Sequence, residues 1–258
     1  MNKKSIIIGS GLILLLLCLF QAPLRGQTAE EILKKVDAAM SGAAAAKDLE
    51  SLMTMTITSA SGGVKSRKLR VWSRTVPGQD SQRLMKFLSP ADVRDIGFLT
   101  LADEQMYLYL PEFRRIRRIA SNNKTENFVG SDFSYEDLSA AAFSRSYSPG
   151  LSAQDEKTWT LDLERKPGAD KQYKKIRLIV SKEALLPLRM ELHDNAGNLV
   201  KVADQENGRS GKYWVPTLIR MKDVKAGSST ELAMSDIKTD QGLGEEVFSQ
   251  RNLQKRAQ

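Results

Sequence analysis

Apolar and polar residues alternate with a period of two from Met53 almost to the end of the chain, and short turns punctuate the pattern. No other feature limits the fold as strongly, because such alternation describes a half-buried strand and excludes a helical chain. Met53, Met55 and Ile57 alternate with Thr54, Thr56 and Thr58, Ser61-Gly62-Gly63 turns the chain, and residues 64–74 return. That is a hairpin with one apolar and one polar face. Strands are expected at 82–88, 97–101 and 105–110, with Ala102-Asp103-Glu104 joining the last two. Pro111 ends this run, since proline cannot donate to a ladder.

The later half repeats the pattern. Trp159, Leu161 and Leu163 alternate within 158–165, and segments 173–182, 186–194, 199–205, 213–225 and 229–239 follow. Pro167-Gly168 and Asn195-Ala196-Gly197-Asn198 supply turns. The sum is about ten or eleven strands in series, an antiparallel meander that must curl or close to protect its edges.

Two segments break the period. Thr28 with Glu31 three residues later is a capping box, and Ile32, Val36, Ala39 and Met40 follow at helical spacing, with Gly42 as a stop. A second helix is expected over 132–143, capped by Ser131 or Ser134, with acids in its first turn and an apolar side of Phe133, Leu138, Ala141 and Ala142. The expected fold class is therefore mainly β with α, a strongly curved sheet wrapped on helices. No linker rich in Pro, Gly or Ser divides it, so residues 27–258 are expected to form one domain.

Lys3 and Lys4 precede an apolar run from Ile6 to Phe20, too short for a comfortable membrane span. Residues 1–26 read as a removed secretory signal peptide, with Gly26 or Ala22 at the cleavage point and the periplasm as destination. Cys18, the only cysteine, lies in this run. Leu17 stands where a lipidation signal wants a small residue, so a lipid anchor there is the minor alternative. Lys3, Lys4 and Arg25 leave with the leader, which lowers 39 basic residues to 36 against 31 acids, a balance of +5. That modest excess permits contact with anionic headgroups or an acidic partner. Nucleic acid is not an expected partner, because no recognition module is visible.

Residues 84–138 are the least generic stretch. They contain FLSPADVR, GFL, YLYLPEFRRIRRIA and GSDFSYEDL. On these segments the chain resembles the LolA-like outer-membrane lipoprotein-sorting family, in a less characterised branch rather than the lipoprotein carrier itself. The resemblance implies an unclosed antiparallel β-barrel, LolA/LolB-like, with helices covering the open side. It also implies a cavity for the acyl chains of a lipoprotein or another lipid, received from an inner-membrane transporter and passed to an outer-membrane acceptor. Periodicity alone would also allow a sandwich or a lipocalin-like barrel.

The candidate lining of such a cavity is Met53, Met55, Ile57, Met85, Phe87, Phe98, Met106, Leu108, Trp159, Leu161 and Met190. Met221 and Met234 also fall in expected strands, and flexible thioethers suit variable acyl chains as well as ordinary cores. A second group is Arg114, Arg115, Arg117 and Arg118, with Asp132, Glu136 and Asp137 downstream. These arginines form either a basic rim gripping a lid, phosphate or partner, or a solvated edge strand whose charges prevent sheet-to-sheet pairing. Pairs between them and the downstream acids could also fix the second helix to the sheet.

Catalysis is not expected and no cofactor or metal is implied. His193 is the only histidine, placed at a strand end and read as an exposed turn residue, and no Gly-x-Ser-x-Gly elbow is present. Two functions remain: a monomeric periplasmic carrier of lipid or lipoprotein, and a non-carrying adaptor of an envelope transporter built on the same fold.

Overall fold

The computed structural model describes residues 27–139 and 142–257. The leader and Cys18 lie outside the described residues, as does Ala141. The first element is α1 (Ala29–Ser41). Its capping box forms as read: the Thr28 hydroxyl accepts from the Glu31 N–H at 3.2 Å, and the Glu31 carboxylate accepts from the Thr28 N–H at 3.0 Å. Ile32, Leu33 and Val36 are fully buried on its inner side. Gly42 closes the helix, and a Cβ there would lie 2.7 Å from the Ala38 Cα.

Strands then follow as β1 (Asp48–Thr58), β2 (Val64–Arg74), β3 (Gln82–Ser89), β4 (Gly97–Thr100), β5 (Met106–Leu110) and β6 (Arg115–Arg118). The short helix α2 (Phe143–Ser146) leads into β7 (Tyr147–Gln154), β8 (Thr158–Arg165), β9 (Lys175–Ser181) and β10 (Pro187–His193). The last strands are β11 (Leu199–Ser210), β12 (Tyr213–Asp223) and β13 (Ser229–Thr239), and α3 (Gln250–Leu253) ends the described chain. All thirteen form one antiparallel sheet in the order β6-β5-β4-β3-β2-β1-β13-β12-β11-β10-β9-β8-β7. The first and last strands pair in its middle, with Met53 opposite Met234. The sheet thus curls around an interior while its two ends, β6 and β7, stay unpaired with each other. This is the unclosed antiparallel barrel expected from the turns and the resemblance.

The strand count rises from the expected ten or eleven to thirteen, through β6 and β7. β7 carries Pro149-Gly150 and is exposed along most of its length, so it shows no alternation to read. The expected helix over 132–143 does not form. Among the described residues of this stretch and the next few, helix occurs at Phe143–Ser146 alone, and residues 135–138 make a single turn. The turn is closed reciprocally, with the Asp137 N–H donating to the Ser134 hydroxyl at 3.1 Å and the Ser134 N–H donating to the Asp137 carboxylate at 2.7 Å. It goes no further because Ser131 to Glu136 are all buried, and a surface helix needs a face for water. The open side is covered by α1 and by this non-helical segment.

The outer face of β3–β5 is also covered. Leu84 and Leu99 pack there with Phe248 and Leu253 of the C-terminal segment. Gly97 permits the approach, since a Cβ on it would meet Leu253 at 2.6 Å. Lys86 points to the same side and donates to the carbonyls of Asn252 at 2.6 Å and Lys255 at 2.7 Å. Asp48 accepts the N–H groups of Gln241, Gly242 and Leu243, which anchors the start of this segment.

Candidate functional site

Period-two alternation decides which side chains enter the barrel, and the segment after β6 decides how much room they leave. Residues 119–138 fold inward over β3–β5. Phe128 sits at the centre, its ring centroid 5.7 Å from Phe87, 5.3 Å from Phe98 and 5.7 Å from Tyr135. Val129 beside it has φ of +45°, a strained conformation for a β-branched residue. Its carbonyl accepts from the Arg67 guanidinium. The segment is tied to β13 through Asp132, whose carboxylate accepts the hydroxyls of Ser228 at 2.5 Å and Thr230 at 2.6 Å.

Beyond this plug the barrel is hollow. A cavity of about 300 Å³ lies between α1, β1–β3 and β9–β13. Its wall on β10, β12 and β13 is apolar, with Met190, Ile219, Met221, Leu232 and Met234. The facing wall is mixed: Met53, Val71 and Met85 alternate along the strands with Ser51, Ser73 and Arg83. Such a volume matches the lower end of small-molecule pockets, about 300–1,000 Å³.

Charged groups close one side of this space. Lys201 and Asp137 form a buried ion pair at 2.9 Å, and Asp137 also accepts the Tyr173 hydroxyl at 2.8 Å. Glu136 accepts the Gln172 N–H at 3.2 Å; burial pushes its carboxyl above the ordinary range, against the pull of Lys171 and Lys124. Burial and the neighbouring acids raise the Tyr173 hydroxyl well above the usual tyrosine value. Across the gap between the sheet ends, Lys124 lies 2.9 Å from Asp170 and 3.7 Å from Glu104, and Lys171 also pairs with Glu104. Arg83 stands apart, because its one hydrogen bond among the described residues goes to the Leu138 carbonyl at 3.1 Å. Burial holds its guanidinium below the ordinary value.

The structure divides the expected lining residues. Met53, Met85 and Met190 border the cavity, together with Met221 and Met234. Met55, Phe87, Phe98, Met106, Leu108 and Leu161 are buried in the solid core around it, and Ile57 and Trp159 pack partly buried against that core. The arginines divide from the acids. Arg115, Arg117 and Arg118 lie on edge strand β6 with Arg114 in the turn before it, and all four are exposed. Arg117 meets Glu126 at 3.4 Å, whereas Asp132, Glu136 and Asp137 point inward to hydroxyls, N–H groups and lysines. In place of the arginine pairs offered as one possibility, Asp132 takes hydroxyls and Glu136 and Asp137 take Lys124 and Lys201, which reach the interior while the edge strand faces water. His193 also differs from expectation: it ends β10 half-buried, with no hydrogen-bond partner for Nδ1 among the described residues.

Arg83, Ser73, Lys124 and Lys201 are among the interior polar residues not anticipated from sequence. Arg83 had a legible signal, because it shares strand parity with Met85 and Phe87 and must face the apolar side. No cluster of metal-ligating side chains occurs among the described residues.

Residues 79–255 match the model of a protein family described as "-like: Uncharacterized protein". No curated protein matches the sequence. Among solved structures, the chain is similar to a proposed outer membrane lipoprotein-sorting protein domain from Vibrio parahaemolyticus, with 29% identity, 88% of this chain and 98% of that one covered, and a TM-score of 0.80. A DUF1329 family protein from Desulfovibrio piger gives 26% identity, 88% and 100% coverage and a TM-score of 0.80. A LolA superfamily protein from Nitrosomonas europaea, at 20% identity, 88% and 100% coverage and a TM-score of 0.69, shares the fold. The chain therefore belongs to this family of uncharacterized proteins, and it shares the fold of the LolA superfamily protein.

Proposed function

We propose that this protein is a periplasmic carrier that binds lipid or lipoprotein acyl chains, in outer-membrane lipoprotein sorting or lipid transport. In this reading residues 1–26 are a removed leader, residues 27–258 form one LolA-like domain, and the chemistry is binding rather than catalysis. The observation that carries it is the cavity of about 300 Å³ with a methionine-rich apolar wall. Unbranched thioethers adapt to a chain of variable shape, and each buried methylene contributes about 0.8 kcal/mol. The likeness to a domain described as lipoprotein-sorting supports an envelope location. No helix among the described residues is long and apolar enough to cross a membrane.

A donor at the inner membrane and an acceptor at the outer membrane are the partners this role requires. The exposed arginines of β6 offer them, or acidic headgroups, a basic edge. Native mass spectrometry with lipid extraction, on protein purified from its own host's envelope, tests the proposal. Stoichiometric lipid is the expected result. Consistent absence of lipid, with no uptake of an added acyl probe, would overturn it in favour of a non-carrying adaptor of an envelope transporter.

A further inference from the structure

We propose that the cavity recognises an acyl chain bearing an anionic oxyanion head, carboxylate or phosphate monoester, with the head on Arg83 beside Ser73. This rests on the cavity being an acyl-chain site and names the chemical class it takes.

Three inward polar side chains lie in one row across the sheet. Ser73 on β2 is directly opposite Arg83 on β3, and Arg83 is directly opposite Thr100 on β4. Side chains so paired have Cβ atoms about 4.5–5.5 Å apart, close enough to share one ligand group. Thr100 is 2% exposed and lies behind the cavity lining, and its hydroxyl has no hydrogen-bond partner among the described residues. Ser51 on β1 lies diagonally behind Ser73 and also faces the cavity.

Arg83 supplies the charge. Its only hydrogen bond among the described residues leaves most of a five-donor fork unused. No ion pair among the described residues includes it. The three acids on the cavity wall are committed elsewhere, Asp37 to the Phe143 and Ser144 N–H groups, Asp137 to Lys201 and Tyr173, and Glu136 to the Gln172 N–H. A guanidinium drawn into the interior without a counter-charge is costly, and the paired oxygens of a carboxylate or phosphate match its fork. The opposite wall, from Met190 to Met234, is apolar. The space is amphipathic in the sense an acidic single-chain amphiphile needs, whereas a neutral lipid would leave Arg83 unanswered.

Calorimetric titration of the whole protein with laurate, dodecyl phosphate and dodecanol, which share one chain length, tests this. The acidic ligands are expected to bind about tenfold or more tightly than dodecanol, the range of a hydrogen bond to a charged group. Arg83→Gln is expected to bring all three within about twofold while retaining dodecanol, so a surviving preference overturns the proposal. Should Arg83→Gln fail to fold, Ser73→Ala takes its place, and an unchanged preference in that variant also overturns it. Equal binding of all three by the wild type overturns the head-group inference and leaves the acyl site standing. Binding of none overturns the acyl site itself. Acetate and inorganic phosphate form the last arm, and binding as tight as that of the long-chain ligands would mark a small-anion site and overturn the proposal.

Discussion

Around Phe128 the barrel interior is solid, with three aromatic neighbours at 5.3–5.7 Å, whereas around Met190 and Met234 the same sheet leaves about 300 Å³ open. Strand patterning does not cause the difference, because both regions alternate apolar and polar residues in the same way. What differs is the segment over each. Residues 119–138 deliver Ile119, Phe128, Phe133 and Tyr135 into one side, and the C-terminal segment seals the outer face behind it. The other side receives the end of α1, the start of α2 and the edge of the plug. Rigidity and capacity are therefore assigned to separate regions, and a ligand can enter one without unpacking the other.

Phe128→Ala gives the largest expected effect. Removing a fully buried ring costs about 3–5 kcal/mol. At about 2–4 °C per kcal/mol for a chain of this size, the melting temperature falls by roughly 10 °C, read by calorimetry. Met190→Ala, on the open wall, should cost only about 1 kcal/mol while changing affinity for an acyl probe. Equal losses of stability from the two would break the contrast between solid and hollow regions.

A pH effect comes next, and it belongs to the solid side. Burial lowers the Lys86 ammonium to about 8 from 10.5, partly opposed by Asp95. Between these values the unfolded chain holds more protons than the folded one, so this residue's contribution to stability rises with pH across that window. The melting temperature of the wild type relative to Lys86→Met should accordingly shift in favour of the wild type from pH 8 to 10.5. A flat or falling difference would mean that the C-terminal clamp does not hold the lysine as described.

The smallest effect is expected at the edge. Arg115→Ser with Arg117→Ser should change stability by less than about 0.5 kcal/mol, since both side chains are exposed. It should instead promote self-association, visible by analytical ultracentrifugation, if these charges guard the unpaired edge. A monomer that also loses lipid transfer would reassign them to partner contact.

Much of the frame was legible because it rests on local rules. The Thr28–Glu31 capping box, the Gly62 turn and the bounds of 158–165 and 229–239 all follow from short-range chemistry. What could not be read depends on residues far apart in sequence. Met53 and Met55 share one parity, yet only Met53 borders the cavity, because the plug reaches one and not the other. The acids at 132, 136 and 137 suggested a helical first turn, but their partners sit on β11, β13 and the β8–β9 connection. The tail at 240–257 drew no expectation, although Phe248 and Leu253 were apolar signals in a polar stretch.

The unpaired ends of the sheet have a consequence for size. In a closed barrel, strand number and shear together set the diameter, so a wider lumen requires a different register throughout. Here the ladder stops at β6 and β7, and the gap between the sheet ends is spanned by long lysines reaching Glu104 and Asp170. Girth becomes an adjustable quantity, governed by the reach of a few flexible side chains while every strand keeps its neighbour.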